Sequence, residues 1–200
     1  MRGTLSVAGS LMLLAGAAMA QQRPDEPQRQ LSAHEHGAGK LGIAIERRTV
    51  EMELEVPAND IVGFEHAAKT PEQKQAVTQA RATLSKPLTL IKLSDAAGCK
   101  VASASVKLVV GGAHDHGHTH GHNHGKGSQA KTKEADTHSE FHAEYKFTCA
   151  KPDLIQTIEL DYFKSFPRAQ KLMVTIVGDK IQAKTEATRE KPRFDIKPAR

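Results

Sequence analysis

Between Val110 and His138 the chain runs through residues 111–137 without a single Ile, Leu, Val, Phe, Met, Tyr or Trp. A stretch of that length with no large apolar side chain has nothing to bury and cannot offset the entropy of ordering itself. It is therefore expected to be disordered without a ligand, and the core must come from the segments on either side. Those flanks are alike. "KVASASVKLVV" before it is strand-like, with Val101, Ser103 and Ser105 on one face and Ala102, Ala104, Val106, Leu108 and Val110 on the other. "HSEFHAEYKFTC" after it alternates, with Phe141, Ala143, Tyr145 and Phe147 on one side and His138, Glu140, His142, Glu144 and Lys146 on the other. Two strands of similar length predict a hairpin, with residues 111–137 as its long loop.

The rest of the chain supplies partners for that hairpin. "KLGIAIERRTVEMELEVP" reads as a second hairpin, with Leu41, Ile43 and Ile45 inward on one strand and Val50, Met52, Leu54 and Val56 on the other. "NDIVGFEHAAKT" predicts a short helix opened by Asn59 or Asp60 and carrying His66. Thr70-Pro71-Glu72-Gln73 is a capping box with proline at the first helical position. It opens a helix whose Ala76, Val77, Ala80 and Leu84 share a face, closed by Pro87. "LTLIKL" reads as a short strand and "AAG" as a turn. "LIQTIELDYF" and "QKLMVTIV" are further apolar segments, and Gly178-Asp179 predicts a two-residue turn into "KIQAKTEA". Strands dominate, so the expected class is α+β: one layer of mostly antiparallel sheet with helices on one face.

The N-terminus addresses location. "MRGTLSVAGSLMLLAGAAMA" has one positive charge, an apolar centre and small residues at its end, the layout of a secretory signal cleaved after Ala20. Its apolar run is too short for a membrane span, and nothing else in the chain could cross a bilayer. The expected organisation is a signal peptide over residues 1–20, a flexible leader over 21–32, one domain over 33–188 and a charged tail over 189–200. Removing residues 1–20 deletes one charge, Arg2, and takes the net charge from +5 to +4. The lysines and arginines are scattered, with no basic helix and no interleaved aromatics, which excludes a nucleic-acid surface on pattern.

The two cysteines, Cys99 and Cys149, lie just outside the two strands that flank residues 111–137. Paired strands bring them opposite one another at the hairpin base. In an exported chain that favours a disulfide over a thiolate metal pair.

Residues 114–125 read "HDHGHTHGHNHG" and hold six of the eleven histidines: His114, His116, His118, His120, His122 and His124. Neutral imidazole ligates Zn²⁺, Cu²⁺ and Ni²⁺. Several imidazoles on one chain let a metal collect three or four from many combinations, while Gly117, Gly121 and Gly125 let the backbone wrap around it. With no methionine cluster and the cysteines paired, zinc leads. A second, more ordered constellation is available. His34 and His36 in "AHEHG" share one face of an extended strand, a geometry suited to zinc. His66, His138 and His142 lie on expected elements, and three or four of these five could meet at one tetrahedral site.

On "AHEHG", "NDIVGFEHAAKTPEQ", "AAGC", the histidine-rich insert, "HSEFHAEYKFTC" and "FKSFP", the chain resembles the periplasmic zinc-binding proteins of the ZrgA type. The likeness covers roughly residues 32–181, and the closing "ATREKPRFDIKPAR" departs from it into a charged tail. The resemblance implies a periplasmic protein that binds Zn²⁺ and assists an ABC-type zinc importer. It places ligand roles on His34, His36, His66, His138 and His142, without defining which of them act together.

The leading expectation is therefore capture, buffering or handover of Zn²⁺ in the periplasm, with an ABC-type permease or another periplasmic zinc protein as partner. A zinc hydrolase or lyase built on the H-x-H pair is the alternative, with Glu35 or Glu65 as general base. No fuller motif such as H-E-x-x-H occurs, and a non-enzyme is expected. Sequestration of nickel or copper by the same loop is a third reading.

Overall fold

The computed structural model describes residues 37–110, 138–179 and 181–196. The expected signal and leader, the H-x-H pair His34 and His36, and the six histidines of 114–125 lie outside the described residues. Nine strands and four short helices follow in chain order: β1 (Ala38–Glu46), β2 (Thr49–Pro57), α1 (Ala58–Val62), α2 (Pro71–Leu84), α3 (Pro87–Leu90), β3 (Ile91–Leu93), β4 (Cys99–Val110), β5 (Ser139–Cys149), β6 (Thr157–Leu160), α4 (Tyr162–Ser165), β7 (Lys171–Gly178), β8 (Ile181–Thr188) and β9 (Arg193–Asp195). Six of the strands form one sheet in the order β4-β5-β2-β1-β7-β8, and β3, β6 and β9 form a second, small one. All pairings are antiparallel except β1 with β7. The class is α+β and mostly antiparallel, as the alternation predicts.

Alternation makes the large sheet one-sided. Leu41, Ile43, Val50, Met52, Leu54, Val56, Phe141, Phe147, Leu172, Val174 and Ile176 are all buried on its inner face. Glu51, Glu53, Glu144 and Lys146 stay exposed on the other. The helices and the small sheet supply the rest of the core, through Leu84, Leu90, Ile91, Ile158, Leu160, Tyr162 and Phe194. Tyr145 crosses between the layers: its hydroxyl donates to the carbonyl of Leu84 at 2.9 Å, tying β5 to the end of α2. The α2 capping box is present as read, with Thr70 accepting from the Gln73 amide and the Gln73 side chain accepting from the Thr70 amide.

The two strands flanking residues 111–137 pair from Cys99 opposite Cys149 to Val110 opposite Ser139, with one break in register. Cys99 and Cys149 are disulfide-bonded, so the thiolate-pair reading falls. A register shift between Val101 and Ser103 alters the expected faces: Val101 pairs with Phe147 on the inner side, while Ser103 and Ser105 lie opposite the outward Lys146 and Glu144. A bulge of this kind adds one residue to one strand and flips what precedes it.

Four further expectations change. The short helix ends at Val62, because Gly63 caps it in the left-handed conformation at φ 85°, so His66 lies on the loop beyond it. "LTLIKL" splits, with Pro87 starting the helical turn α3 and only Ile91–Leu93 extended. The β7–β8 turn falls one residue later, since Gly178 pairs with Ile181. Within the charged tail, Arg193–Asp195 forms β9 against β6, with Phe194 and Ile196 buried. Two apolar residues flanked by charges carry too short a period to stand out in sequence.

Candidate metal-binding end of the sheet

Strand direction decides where the histidines go. β1 begins at Ala38, directly after the segment with His34 and His36. β2 runs antiparallel to it and ends at Pro57, leading through α1 to His66. β5 runs antiparallel to β2, with His138 directly before its start and His142 in its first turn of alternation. β4 runs antiparallel to β5 and ends at Val110, where the chain enters residues 111–137. The beginnings of β1 and β5 and the ends of β2 and β4 thus share one edge of the sheet. At about 4.8 Å between neighbouring strands, these four ends span roughly 14 Å. The described His66, His138 and His142 lie towards this edge, and the disulfide closes the opposite end of the β4–β5 hairpin.

Three of the histidines lie within the described residues, and each has a ring nitrogen within hydrogen-bond distance of an oxygen. His66 stacks on Phe64, with ring centroids 5.1 Å apart, and its Nδ1 lies 3.0 Å from the carbonyl oxygen of Ala67. His138 Nδ1 lies 2.5 Å from Glu65 Oε2. Glu65 is held in turn by Ser139, a buried residue whose hydroxyl donates to the Glu65 carbonyl at 2.6 Å. His142 differs, since its Nε2 lies 3.2 Å from Glu140 Oε2. On its strand neighbours, His142 sits opposite Glu55 of β2 and Lys107 of β4.

The entry of the H-x-H segment is also fastened. The amide of Gly37 donates to both oxygens of Asp60, at 2.9 and 3.0 Å, and Asp60 is only 3 % exposed. Asp60 therefore does not open its own helix, whose N-cap is Pro57, but reaches across to the start of β1. Gly37 has φ +83°, and a Cβ there would come to 3.0 Å from the Gln170 side chain, so any other residue after His36 would be strained. The Gly37 carbonyl accepts from the amides of Gln170 and Lys171, locking the same corner to β7.

Sequence reading singles out His66, His138 and His142 and leaves their anchors unassigned. Asp60 reads there as a capping residue, and Glu65 as a neighbour of His66 rather than the partner of His138. The pairing spans 73 residues, and no local period signals a contact of that range. Among the described residues no three His, Cys, Asp or Glu side chains meet closely enough to hold a metal by themselves. Among the same residues no helix is long and apolar enough to cross a membrane.

The described residues define a disulfide-stapled α+β protein with a one-sided sheet, at one end of which lie His66, His138 and His142. The chain belongs to the ZrgA family of zinc uptake proteins, whose family model matches residues 33–196. That span takes in β9 and extends the family likeness beyond residue 181, into the charged tail. A comparison with curated proteins finds no match.

Proposed function

We propose that the protein captures Zn²⁺ in the periplasm, after export through its N-terminal signal, and holds it for an ABC-type importer or another periplasmic zinc protein. One observation supports the reading: strand order puts the starts of β1 and β5 and the ends of β2 and β4 at one edge of the sheet, and the histidines of the sequence fall in the chain segments that lead into or out of these ends. Residues 111–137 act as the gathering segment, since their imidazoles are many, closely spaced and tethered at both ends to a stapled hairpin. The sheet edge with His66, His138 and His142 is the holding site, joined by His34 and His36, which precede β1 in sequence. Membership in a zinc uptake family supports zinc as the cargo over nickel or copper.

Calorimetric zinc titration of the full chain and of a chain lacking residues 111–137 tests this. At about pH 7.5, where imidazole is mostly neutral, the shortened protein retains at least one tight zinc and the full chain binds more. Equal stoichiometry would reject the gathering segment, and a shortened protein that binds none would reject the ordered site. Cell fractionation with and without residues 1–20 tests the location.

A further inference from the structure

We propose that the free edge of β4 pairs antiparallel with β4 of a second copy of the chain, about a two-fold axis at Val106, joining two six-stranded sheets into one. β4 is outermost in its sheet, and among the described residues no backbone group of another element bonds to its far side. The strand is long, at 12 residues, holds no proline and is mostly exposed. Val101, Val109 and Val110 show 41, 43 and 44 % of their surface. An edge of this kind is a template for another strand. The opposite edge, β8, has 8 residues and carries Lys184 and Glu186 along its middle, the sort of charge that blunts an edge.

Register settles which backbone groups of β4 point outward. The Cys149 amide donates to the Arg48 carbonyl, so the odd-numbered residues of β5 bond toward β2 and the even-numbered ones toward β4. His142 and Glu144 pair with Lys107 and Ser105. The odd residues of β4 beyond its bulge are thus used by β5, and Ala104, Val106 and Leu108 turn their N–H and C=O groups to the free side. A ladder with Val106 opposite its own copy uses these same groups, with Ala104 opposite Leu108, and makes about six hydrogen bonds. The side chains favour a second copy as the occupant. "SAS" over residues 103–105 is small, and "KLV" over 107–109 is large. Reversal about Val106 sets Ser103 against Val109, Ala104 against Leu108 and Ser105 against Lys107, small against large at each step. Charge agrees with shape. Glu53 and Glu144 lie directly opposite one another on the outer face, and neither has an ion-pair partner among the described residues. Like charges so placed repel. Lys107 is also unpaired among the described residues, and the copy's Lys107 would stand beside Ser105, the β4 neighbour of Glu144. Two strand spacings separate that lysine from Glu144, about 10 Å between Cα atoms, and the small serine leaves the two long side chains free to meet above it.

The test is sedimentation velocity of the full chain over a wide range of concentration, with chelator present so that no metal bridges two copies. The parent is expected to pass from monomer to dimer as concentration rises. Ala104→Pro removes an outward N–H that β5 does not use. It should keep its fold, read by circular dichroism and the urea midpoint, and weaken association by at least about tenfold. Lys107→Glu and Glu144→Lys should each weaken association by about tenfold, and the double exchange should restore it. Val106→Cys should crosslink to its own copy on mild oxidation, since the paired Cα atoms would lie about 5.5 Å apart. A parent that stays monomeric at every concentration overturns the proposal and leaves the edge to a strand of another protein. A dimer indifferent to both Ala104→Pro and Lys107→Glu also overturns it, because its interface would lie elsewhere. If Ala104→Pro does not fold, the charge exchange and the crosslink decide.

Discussion

The two carboxylate oxygens of Asp60 hold the single amide hydrogen of Gly37, at 2.9 and 3.0 Å, in a place where water does not reach. The contact joins α1 to the residue that follows the H-x-H pair. It makes a buried acid part of the frame of the proposed zinc site without being a ligand. Removing it should act on stability and on metal binding together.

Asp60→Ala leaves the Gly37 amide buried without an acceptor, so the expected loss is about 2 kcal/mol, within the range for hydrogen bonds to charged groups. Asp60→Asn keeps one acceptor oxygen and should lose about half as much. Urea unfolding midpoints at unchanged slope read the difference. Chelator competition on the same variants should show the tightest zinc step weakened by about tenfold, the lower end for a supporting residue. Unchanged affinity in Asp60→Ala would separate the clamp from the site.

The disulfide lies at the other end of the sheet from the histidines. Cys99 and Cys149 are 50 residues apart in sequence, and loop entropy assigns such a crosslink about 4 kcal/mol. The Cys99→Ser, Cys149→Ser chain should therefore unfold at a much lower denaturant concentration, and the parent should approach it when reductant is added. The tightest zinc step of the folded variant should stay within about twofold of the parent, since mutations at well-separated sites are close to independent. Loss of metal binding in the folded variant would show that the staple shapes the distant edge.

Much of this fold is legible in the sequence because a one-sided sheet repeats a simple pattern. Leu41, Ile43, Val50, Met52, Phe141 and Tyr145 alternate with polar neighbours, and each alternating run became a strand. The hairpin base followed from the matching places of Cys99 and Cys149 around those runs. What escaped lacks a period. Phe194 and Ile196 sit among charges, and Val101 changes face at a bulge that no alternation announces. Gly63 ends α1 early through a left-handed turn and moves His66 off the helix. At the candidate site the histidines were visible as residues, but their anchors were not. Asp60 and Glu65 act on Gly37 and His138, which lie far off in sequence and become neighbours only through strand order.

Two buried tyrosines separate a hydroxyl with a partner from one without. Tyr145 donates to the Leu84 carbonyl, whereas the Tyr162 hydroxyl, 1 % exposed as a residue, has no hydrogen-bond partner among the described residues. Tyr145→Phe should cost about 1 to 2 kcal/mol, because it strands a buried carbonyl as well as losing the bond. Tyr162→Phe should be neutral or stabilising by up to about 1 kcal/mol, because it removes a hydroxyl that was desolvated for nothing. Burial pushes both phenols upward from 10.0, Tyr162 with added repulsion from Asp60. A phenol whose folded value is raised contributes stability that is complete below the unfolded value and lost as pH climbs past it. Both therefore predict alkaline unfolding that begins near pH 10. Denaturation curves of parent and Phe variants across that range check it, and Tyr162→Phe should unfold at higher pH than the parent.

Zinc release on acidification should occur in two steps. An imidazole must be neutral to ligate, its unperturbed value is about 6.5, and metal binding at several such groups competes with several protons. Residues 111–137 have no core-forming side chain to preorganise their ligands, so each ion bound there must also order the chain that wraps it. Their affinity should collapse between about pH 7 and 5. The ordered edge starts with Gly37 clamped by Asp60 and His138 in contact with Glu65, so less ordering is charged against its binding. It should hold zinc to lower pH. Titrations of the full chain at about pH 7.5 and 5.5 should thus lose the weaker, multiple sites first while one tight ion remains. A single release step in the parent, with all ions leaving together, would mean that the ordered edge and the histidine-rich segment are one site.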